Sequence, residues 1–363
     1  MEQNAQREVR TANPDWSVSE VMARVTSALD SVGPALAFGK VQSTHVPNRV
    51  SVVVGTTGSS GISKEVGISA AAIRASAKAS NKYLGAQAGD TWSLLLPLTH
   101  IAGVNVLVRA LDLGTEPIDL RGEQSHYPRV DFTAIVPAQL FKALNGDDAL
   151  LQHLVDAKAV LVGGAALPDD LRKQGEEAGI TIVTTYGMTE TTGGCVYNAT
   201  PLDGVEISIT PENLVAIKGA VLAETYIGAE QMWASAVKDG WFVSADLGKI
   251  EGGKLIVEGR SDDVIISGGE NISLGHIERT LQARFPEVTF AAFAISDPQW
   301  GDSLHLAVVG KDVVEEDLSA YLASEVGPFA KVKGFLHLPE LPLMGIGKVD
   351  RKKLAELFTE ASH

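Results

Sequence analysis

Strand-like and helix-like segments alternate through the first half of this chain. Short apolar runs rich in β-branched residues predict buried strands, and the longer segments between them have helical spacing. The strand-like runs are Val50–Val54, Thr133–Val136, Val160–Val162 and Thr181–Thr184, and the helical segments include Ser69–Lys82, Pro137–Leu144 and Asp169–Ala178. Such alternation is typical of an α/β fold with a largely parallel sheet. We therefore expect a large N-terminal α/β domain.

The pattern changes near Leu202. Three short strand-like runs with intervening turns predict a smaller antiparallel β subdomain; they are Val205–Ile209, Leu214–Ile217 and Lys254–Glu258. Beyond residue 261 a new unit begins, with predicted helices at 274–283, 315–324 and 351–359 and predicted strands at 288–295 and 304–309. We expect residues 1–261 to form the N-terminal domain and residues 262–363 a small C-terminal α+β domain of ordinary size.

Composition narrows the class of partner. The chain has 363 residues, of which 45% are hydrophobic, so it can bury large cores. Its formal net charge of −15 argues against nucleic acid as a partner. An anionic substrate would have to be met by local lysine and arginine side chains.

Cysteine content and hydropathy bear on the compartment. Cys195 is the only cysteine, so no intrachain disulfide can form, and the cytoplasm is the expected location. The N-terminal segment lacks the apolar core of a signal peptide. The most apolar window, Trp92–Leu111, is interrupted by Pro97 and Arg109. We interpret it as a buried strand and helix, and do not expect an integral membrane protein.

A loop of glycines and hydroxyl residues follows the first strand-like run. It contains Thr56, Thr57, Gly58, Ser59, Ser60, Gly61 and Lys64. Glycines let backbone N–H groups approach phosphate oxygens, hydroxyls add hydrogen bonds, and the lysine neutralises charge. We expect the loop to connect a strand directly to the helix predicted from Ser69, and to bind phosphate. It is not a Walker A loop, and an ordinary Gly/Ser turn is the alternative.

Four further motifs follow in order. They are Thr185–Thr191 (TYGMTET), Gly240–Asp246 (GWFVSAD), Gly259–Asp263 with Ile266–Ile272 (GRSDD, ISGGENI) and Gly345–Arg351 (GIGKVDR). Together with the loop, they resemble the core motifs of the acyl-adenylate-forming (AMP-binding) superfamily, which includes acyl- and aryl-CoA ligases, luciferase and peptide-synthetase adenylation domains. One such motif is weak evidence, whereas five in order are hard to obtain by chance.

The resemblance implies a two-step reaction. A carboxylate attacks the α-phosphate of ATP, giving an acyl-adenylate and pyrophosphate, and the thiol of coenzyme A then displaces AMP. Charge that builds on the phosphate oxygens calls for cations and fixed donors. The resemblance implies that Lys348 is the catalytic lysine, that the Thr189 hydroxyl contacts the α-phosphate, and that Glu190 binds Mg²⁺.

The resemblance also implies a nucleotide site. Tyr186 with Gly187 would stack on adenine, and Gly164 and Ala165 would pass its edge. Asp246 would accept from the ribose hydroxyls, Arg260 would donate to ribose or phosphate, Asp262 would be the hinge of a mobile C-terminal domain, and Gly268 and Gly269 would contact CoA. Structural alternatives are a solvated Lys348, a turn at Asp246, a surface charge cluster at Arg260, and a half-buried core aromatic at Tyr186.

Several positions depart from the family pattern. Ser63 replaces a usual proline and Glu65 a usual glycine, and Glu65 adds negative charge near phosphate unless it points away or pairs with a cation. Further departures are Ala245, Leu274, His276, Leu343 and Met344. Only residues 1–54 precede the phosphate loop, so we expect an abridged N-terminal domain.

The compact length, the segment Thr185–Tyr197 and the segment Pro201–Val205 resemble the short actinobacterial 2-succinylbenzoate–CoA ligases of menaquinone synthesis. The substrate of those enzymes is an aromatic keto-diacid, and the carboxylate that does not react needs a cation or donors. Arg109 lies in the apolar run Val106–Leu111. A buried arginine needs a partner, which could be that carboxylate or an internal acidic residue.

Further substrate contacts are less constrained. Gly193 and Gly194 would leave room for a ring, and His100 could line the same pocket or be a core histidine. Alternative functions are another aryl- or acyl-CoA ligase, an adenylation enzyme that loads a carrier protein, or a non-catalytic nucleotide-binding protein. The expected partners are an aromatic carboxylic acid, ATP with Mg²⁺, and CoA, and a homo-oligomer stays open.

Overall fold

A computed structural model describes residues 5–57, 63–122, 124, 126–267, 270–297, 301–310, 313–344 and 348–361. The chain divides into two compact units. The first takes in Met1–Ser208, Ala216–Ser244 and Ile250–Leu255, and the second Ile209–Val215, Ala245–Lys249 and Ile256–His363. The predicted domain boundary after residue 261 stays a prediction.

The helices of the described residues, in chain order, are α1 (Val18–Leu29), α2 (Ala70–Leu84), α3 (Ile101–Asp112), α4 (Pro137–Leu144), α5 (Asp148–Asp156), α6 (Asp169–Glu177), α7 (Glu230–Ala236), α8 (Leu274–Arg284), α9 (Glu315–Glu325) and α10 (Arg351–Ala361). Short 3₁₀ turns occupy Thr189–Thr191 and Ser261–Asp263. The predicted helices are confirmed as α2, α4, α6, α8, α9 and α10. None of the helices in these residues is long and apolar enough to span a membrane.

The strands are β1 (Gln6–Thr11), β2 (Ala35–Phe38), β3 (His45–Pro47), β4 (Val50–Thr57), β5 (Ser63–Ser69), β6 (Trp92–Leu94), β7 (Ile118–Asp119), β8 (Phe132–Ile135), β9 (Ala159–Val162), β10 (Ile182–Met188), β11 (Gly193–Tyr197), β12 (Thr200–Pro201), β13 (Val205–Ile209), β14 (Leu214–Gly219), β15 (Thr225–Tyr226), β16 (Val237–Lys238), β17 (Trp241–Glu251), β18 (Lys254–Arg260), β19 (Val264–Ser267), β20 (Glu270–Ser273), β21 (Thr289–Asp297), β22 (Gly301–Val309), β23 (Val332–His337), β24 (Leu343–Met344) and β25 (Lys348–Val349). Every strand-like run predicted from the sequence is confirmed.

Two sheets organise the first unit. One has the order β15-β5-β4-β2-β1-β3, and the other β12-β11-β10-β9-β8-β6-β7. In the second sheet, β7, β6, β8, β9 and β10 run parallel, and β11 adds antiparallel to β10. The apolar runs explain this arrangement, because Ile135, Val160 and Val162 are buried with Leu140 and Leu154 of the covering helices. The expected α/β fold with a largely parallel sheet is confirmed.

The expected connection at the phosphate loop is wrong. The segment after the loop forms β5, which pairs antiparallel with β4, so that Thr56 faces Lys64 and Val54 faces Val66. Val66 and Ile68 are two residues apart, which places both side chains on one face of a strand, and both are fully buried. The loop therefore joins two strands of a hairpin, and the N-terminus of α2 follows β5.

The remaining sheets are smaller. One has the order β13-β14-β17-β16, with β18 beside β17, in line with the predicted β subdomain. In the second unit a sheet of order β20-β19-β22-β21 carries β23 on β22. Its apolar core includes Ile277 and Leu281 of α8 with Leu318 and Leu322 of α9. A separate two-stranded pair places Lys348 opposite Met344.

Candidate active site

Several predicted nucleotide-binding residues lie at, or just beyond, the carboxyl ends of two neighbouring parallel strands. Thr184 of β10 pairs with Val162 of β9, so both strands end at the same edge of the sheet. Gly164 and Ala165 follow β9 and are exposed, and Gly164 has a φ of +85° that favours glycine. Tyr186 and Gly187 lie at the end of β10. In open α/β sheets this edge is where ligands bind.

The turn after β10 fixes Thr189 and Glu190. Thr189 is buried, and the backbone carbonyl of Glu190 accepts from the N–H of Ala223 at 2.8 Å. The hydroxyl of Thr191 accepts from the Met188 N–H at 2.9 Å and lies 2.8 Å from the Gly193 carbonyl. These hydrogen bonds hold Thr189, predicted to contact the α-phosphate, and Glu190, predicted to bind the metal, in the turn between β10 and β11.

Glu190 is held by a residue to which sequence analysis assigned no role. The Tyr226 hydroxyl donates to Oε1 of Glu190 at 2.7 Å. Burial, followed by the charge of Glu190, raises the pKa of Tyr226 above its ordinary value, so the phenol stays protonated and keeps donating. Nζ of Lys64 lies 4.7 Å from the centre of the Tyr226 ring. One tyrosine therefore connects the predicted phosphate lysine with the predicted metal ligand.

This carboxylate fits Mg²⁺. The ion takes oxygen ligands and is commonly bound through one or two carboxylates together with substrate phosphates and water. The hydroxyl of Tyr226 occupies one oxygen of Glu190, and Oε2 receives no hydrogen bond from any described residue. The carboxylate thus keeps an oxygen for a cation.

The charge that Glu65 brings to the phosphate loop is compensated within the fold. Its two oxygens accept from the backbone N–H groups of Gln42 at 2.5 Å and Ser43 at 3.3 Å. The Thr56 hydroxyl donates to the Lys64 carbonyl at 3.4 Å, and Thr57 ends β4. The other predicted loop residues, Gly58, Ser59, Ser60 and Gly61, lie outside the described residues, as do the predicted CoA contacts Gly268 and Gly269.

Helix α3 contains the predicted substrate residue Arg109, is preceded by a second one, His100, and contacts a third, Gly193. His100 is the N-cap residue of α3 and is half-buried. One turn further, Nδ2 of Asn105 donates to the Thr192 carbonyl at 2.7 Å. Gly193 has a φ of +87°, and a Cβ atom there would overlap Nδ2 of Asn105. The missing side chain thus allows close packing against α3. Space for a substrate ring at Gly193 and Gly194 stays a prediction.

Arg109 is buried, and none of the residues that the structure describes gives it an acidic partner. Its side chain is 4% exposed, and Nη2 donates to the Tyr197 hydroxyl at 3.1 Å. The guanidinium carbon lies 5.3 Å from the centre of the Trp92 ring. Nε is buried and has no hydrogen-bond partner among the described residues, and no described carboxylate pairs with the cation. The internal acid that sequence analysis left open as an alternative is not seen in this part of the chain.

In the second unit, the Arg260 side chain contacts both the predicted ribose-binding residue, Asp246, and the predicted hinge residue, Asp262. Its Nη1 lies 3.2 Å from Oδ1 of Asp246, and its Nε lies 2.7 Å from Oδ1 of Asp262. Hydrogen bonds to Asp262, and then the charge of Asp246, raise the pKa of Arg260. Asp246 is buried. The structure thus brings Asp246, Arg260 and Asp262 together.

Cys195 is inert by its environment. It is fully buried in β11, and burial raises the pKa of its thiol to about 12. A thiol is nucleophilic only as the thiolate, so Cys195 is not suited to act as a nucleophile.

Comparisons with known proteins identify the family. The sequence profile of the family described as AMP-binding enzyme matches residues 3–220. This chain belongs to the AMP-binding enzyme family. The probable 2-succinylbenzoate–CoA ligase of Mycobacterium tuberculosis (strain ATCC 25618 / H37Rv) is 36% identical over 333 residues, which cover 86% of both proteins. The 2-succinylbenzoate–CoA ligase of Escherichia coli K12 is 31% identical, with 91% of this chain and 74% of that protein covered.

Solved structures agree with the fold of this AMP-binding enzyme. E. coli MenE with a bound phenylether-linked analogue of OSB-AMS has a TM-score of 0.70 at 26% identity, covering 96% of this chain and 82% of that chain. The o-succinylbenzoate CoA synthetase (MenE) of Bacillus subtilis in complex with OSB-AMP has a TM-score of 0.74 at 22% identity, covering 95% and 82%. The superfamily and fold predicted from the motifs are confirmed.

Proposed function

We propose that this AMP-binding enzyme is an AMP-forming 2-succinylbenzoate–CoA ligase that acts in menaquinone biosynthesis. Membership of the family and the named relatives support the reaction class. The single observation that supports the assignment of the substrate is the burial of the Arg109 guanidinium, which no described carboxylate neutralises. An unpaired buried charge is costly, and an anionic ligand would remove that cost. A diacid brings one carboxylate to react and a second to pair with Arg109.

In the first half-reaction, an oxygen of the reacting carboxylate bonds to the α-phosphorus of ATP and pyrophosphate leaves. The Thr189 hydroxyl would donate to the α-phosphate, and Lys348 would neutralise charge that develops on its oxygens. Mg²⁺ held by Glu190 would supply further positive charge to the phosphates. Tyr186, beside Gly164 and Ala165, would bind the adenine.

In the second half-reaction, the sulfur of CoA bonds to the acyl carbon, AMP leaves, and the thiol proton is released. Asp246 and Arg260 would bind the ribose, and Asp262 would act as the hinge between the two half-reactions. The cytoplasm is the proposed compartment, and a homo-oligomer stays a prediction.

Substitution of Arg109 tests the substrate assignment. We expect Arg109→Leu to lower kcat/KM for 2-succinylbenzoate by roughly ten- to hundredfold, since a hydrogen bond to a charged group contributes about 1.5–3 kcal/mol. A monoacid that keeps the reacting carboxylate and lacks the second one should be a poor substrate of the native enzyme and lose little. AMP formation measures both.

Arg24→Leu is the matched control, because Arg24 also lies on a helix with its guanidinium carbon 4.0 Å from a tryptophan ring, that of Trp16. Equal losses with both acids in Arg109→Leu would make Arg109 structural and remove the substrate assignment. Preference of the native enzyme for monoacids would favour another acyl- or aryl-CoA ligase. AMP formation that does not depend on CoA would favour a carrier-protein adenylation enzyme. A complete lack of AMP formation would favour a non-catalytic nucleotide-binding protein.

A further inference from the structure

The Tyr197 hydroxyl lies between two buried side chains from different helices. Tyr197 ends β11 and is fully buried. Its hydroxyl oxygen is 3.1 Å from Nη2 of Arg109 on α3 and 2.8 Å from Oγ of Ser80 on α2. The ring of Tyr83 packs edge-on against that of Tyr197, with centroids 5.3 Å apart. Ring and hydroxyl are therefore both fixed.

The direction of these hydrogen bonds follows from the donors present. A guanidinium can only donate, so the Tyr197 oxygen accepts from Arg109. The phenol hydrogen is then available to the Ser80 hydroxyl, which can accept it. Hydrogen bonds in such a chain polarise one another in the same direction. The Tyr197 oxygen therefore becomes a stronger acceptor for the hydrogen bond from Arg109.

Arg109 needs this restraint because its long side chain has several rotatable bonds, which must be fixed for the guanidinium to keep one orientation. The Trp92 ring lies beside the guanidinium and limits its tilt, but a ring face doesn't fix rotation of the planar group about its own axis. The hydrogen bond from Nη2 to Tyr197 supplies that constraint. It leaves Nε, a buried donor that has no partner among the described residues, available to an acceptor.

We infer that Tyr197 is a positioning residue that orients Arg109 toward the second carboxylate of the substrate and thereby sets the preference for a diacid. The inference rests on the proposed function, in which Arg109 binds that carboxylate. Tyr197 itself contacts Arg109 and Ser80, and acts on the substrate through Arg109.

The test is Tyr197→Phe, which removes one oxygen and keeps the ring. We expect KM for 2-succinylbenzoate to rise about tenfold, with kcat changed less than twofold, because a misoriented cation weakens binding of a group remote from the reacting bond. KM for the monoacid that lacks the second carboxylate should stay within twofold. A purely structural role would change both acids alike.

Tyr83→Phe is the matched control. It makes the same substitution in the ring that packs on Tyr197, while its hydroxyl accepts from Asn198 at 3.4 Å and does not reach Arg109. It should leave both KM values unchanged. If Tyr197→Phe does not fold, Ser80→Ala serves as the second variant. It removes the partner of the phenol, and it should raise KM for the diacid alone by a smaller factor.

The outcomes separate the two proposals. If Arg109→Leu discriminates between the acids and neither Tyr197→Phe nor Ser80→Ala does, the positioning role is wrong and the proposed function stands. If Arg109→Leu does not discriminate, the proposed substrate contact is wrong, and the positioning role falls with it. A loss of kcat for both acids in Tyr197→Phe would also overturn the positioning role.

Discussion

Arg260 and Asp262 form a two-point ion pair across a single intervening residue. Nε of Arg260 lies 2.7 Å from Oδ1 of Asp262, and Nη2 lies 2.8 Å from Oδ2. The pair closes over the 3₁₀ turn Ser261–Asp263, and Nη1 of the same guanidinium reaches Asp246. The predicted hinge carboxylate is therefore bound to a predicted nucleotide residue, so torsional change at position 262 must move or break this pair.

The first prediction concerns that torsional freedom. Asp262→Pro fixes φ near −65°, so we expect thioester formation to slow far more than adenylation, because hinge residues absorb large changes in φ and ψ. Pyrophosphate release and acyl-CoA formation, measured separately, give the two rates. Asp262→Asn is the control, since it weakens the ion pair and leaves φ free. Equal slowing of both steps in Asp262→Pro would show that position 262 is not the hinge.

The second prediction divides the half-reactions at Lys348. We expect Lys348→Ala to lower the rate of pyrophosphate release on the order of 10²–10³-fold, the usual effect of removing one donor to developing charge. Conversion of supplied acyl-adenylate and CoA into thioester should persist. Lys352→Ala, at an exposed position of α10, is the control. A comparable loss in both half-reactions would contradict the assignment of Lys348 to adenylation.

The third prediction tests how Tyr226 holds Glu190. Tyr226→Phe keeps the ring beside Lys64 and removes the hydroxyl that donates to Glu190. We expect the Mg²⁺ concentration at half-maximal nucleotide binding to rise roughly tenfold, because groups that orient a metal ligand tune metal affinity. Binding of ATP with titrated Mg²⁺, followed without acid substrate, measures this shift. Tyr321→Phe in α9 is the control. An unchanged Mg²⁺ dependence would mean that the hydrogen bond does not orient Glu190.

The fourth prediction concerns Gly193. Gly193→Ala should destabilise the fold by about 1–3 kcal/mol, because alanine is strained at a φ of +87° and its Cβ would overlap Asn105. Gly89→Ala isolates the strain, since Gly89 has a φ of +91° with no atom within 4 Å of the added Cβ. Denaturant unfolding gives both values. Equal destabilisation by the two substitutions would show that packing against Asn105 contributes nothing.

The fifth prediction is a dependence of stability on pH. His153 is buried, with Nε2 2.9 Å from Oγ of Ser93 and Nδ1 2.9 Å from the Pro128 carbonyl. Burial lowers the pKa of His153, so the unfolded chain takes up the proton at a higher pH than the folded one. Its contribution is therefore fully present above the unfolded pKa of about 6.5 and is lost as pH falls below it.

The measurement compares the free energy of unfolding at pH 7.5 and pH 5.5, values set on either side of about 6.5. His153→Gln, which retains hydrogen-bonding groups and does not titrate, should lose less stability over this interval than the native chain. His126→Gln is the control, because His126 is exposed. An identical loss in the native chain and in His153→Gln would show that His153 does not cause the pH dependence.

The hydrophobic pattern of the sequence predicts most helices and strands correctly. It does not predict which residues far apart in the sequence contact one another. Periodicity identified helices such as α4 because their apolar faces follow the helical repeat. It missed β5, whose short alternation begins with Ser63, Lys64 and Glu65 and so resembles a polar loop. The sequence pattern alone therefore predicts that the loop leads directly into a helix, whereas in the structure β5 lies between the loop and α2.

The site was predictable where motifs carry it, as at Thr189 and Glu190. Tyr226 lies 36 residues beyond Glu190, and no motif links the two. Arg109 was identifiable as a charge in an apolar run, but its partners Tyr197 and Trp92 depend on how α3 packs against the sheet. Such pairings follow from tertiary structure, which spacing along the chain does not encode.

The burial of Cys195 has a consequence for an enzyme that makes an activated acyl group for delivery to a thiol. Its only sulfhydryl stays protonated near neutral pH and is closed off from solvent. An acyl-adenylate formed on this protein therefore meets no competing sulfur nucleophile from the protein itself. Burial therefore protects the protein from self-acylation at sulfur, and thiol-directed alkylating reagents should leave the folded enzyme active.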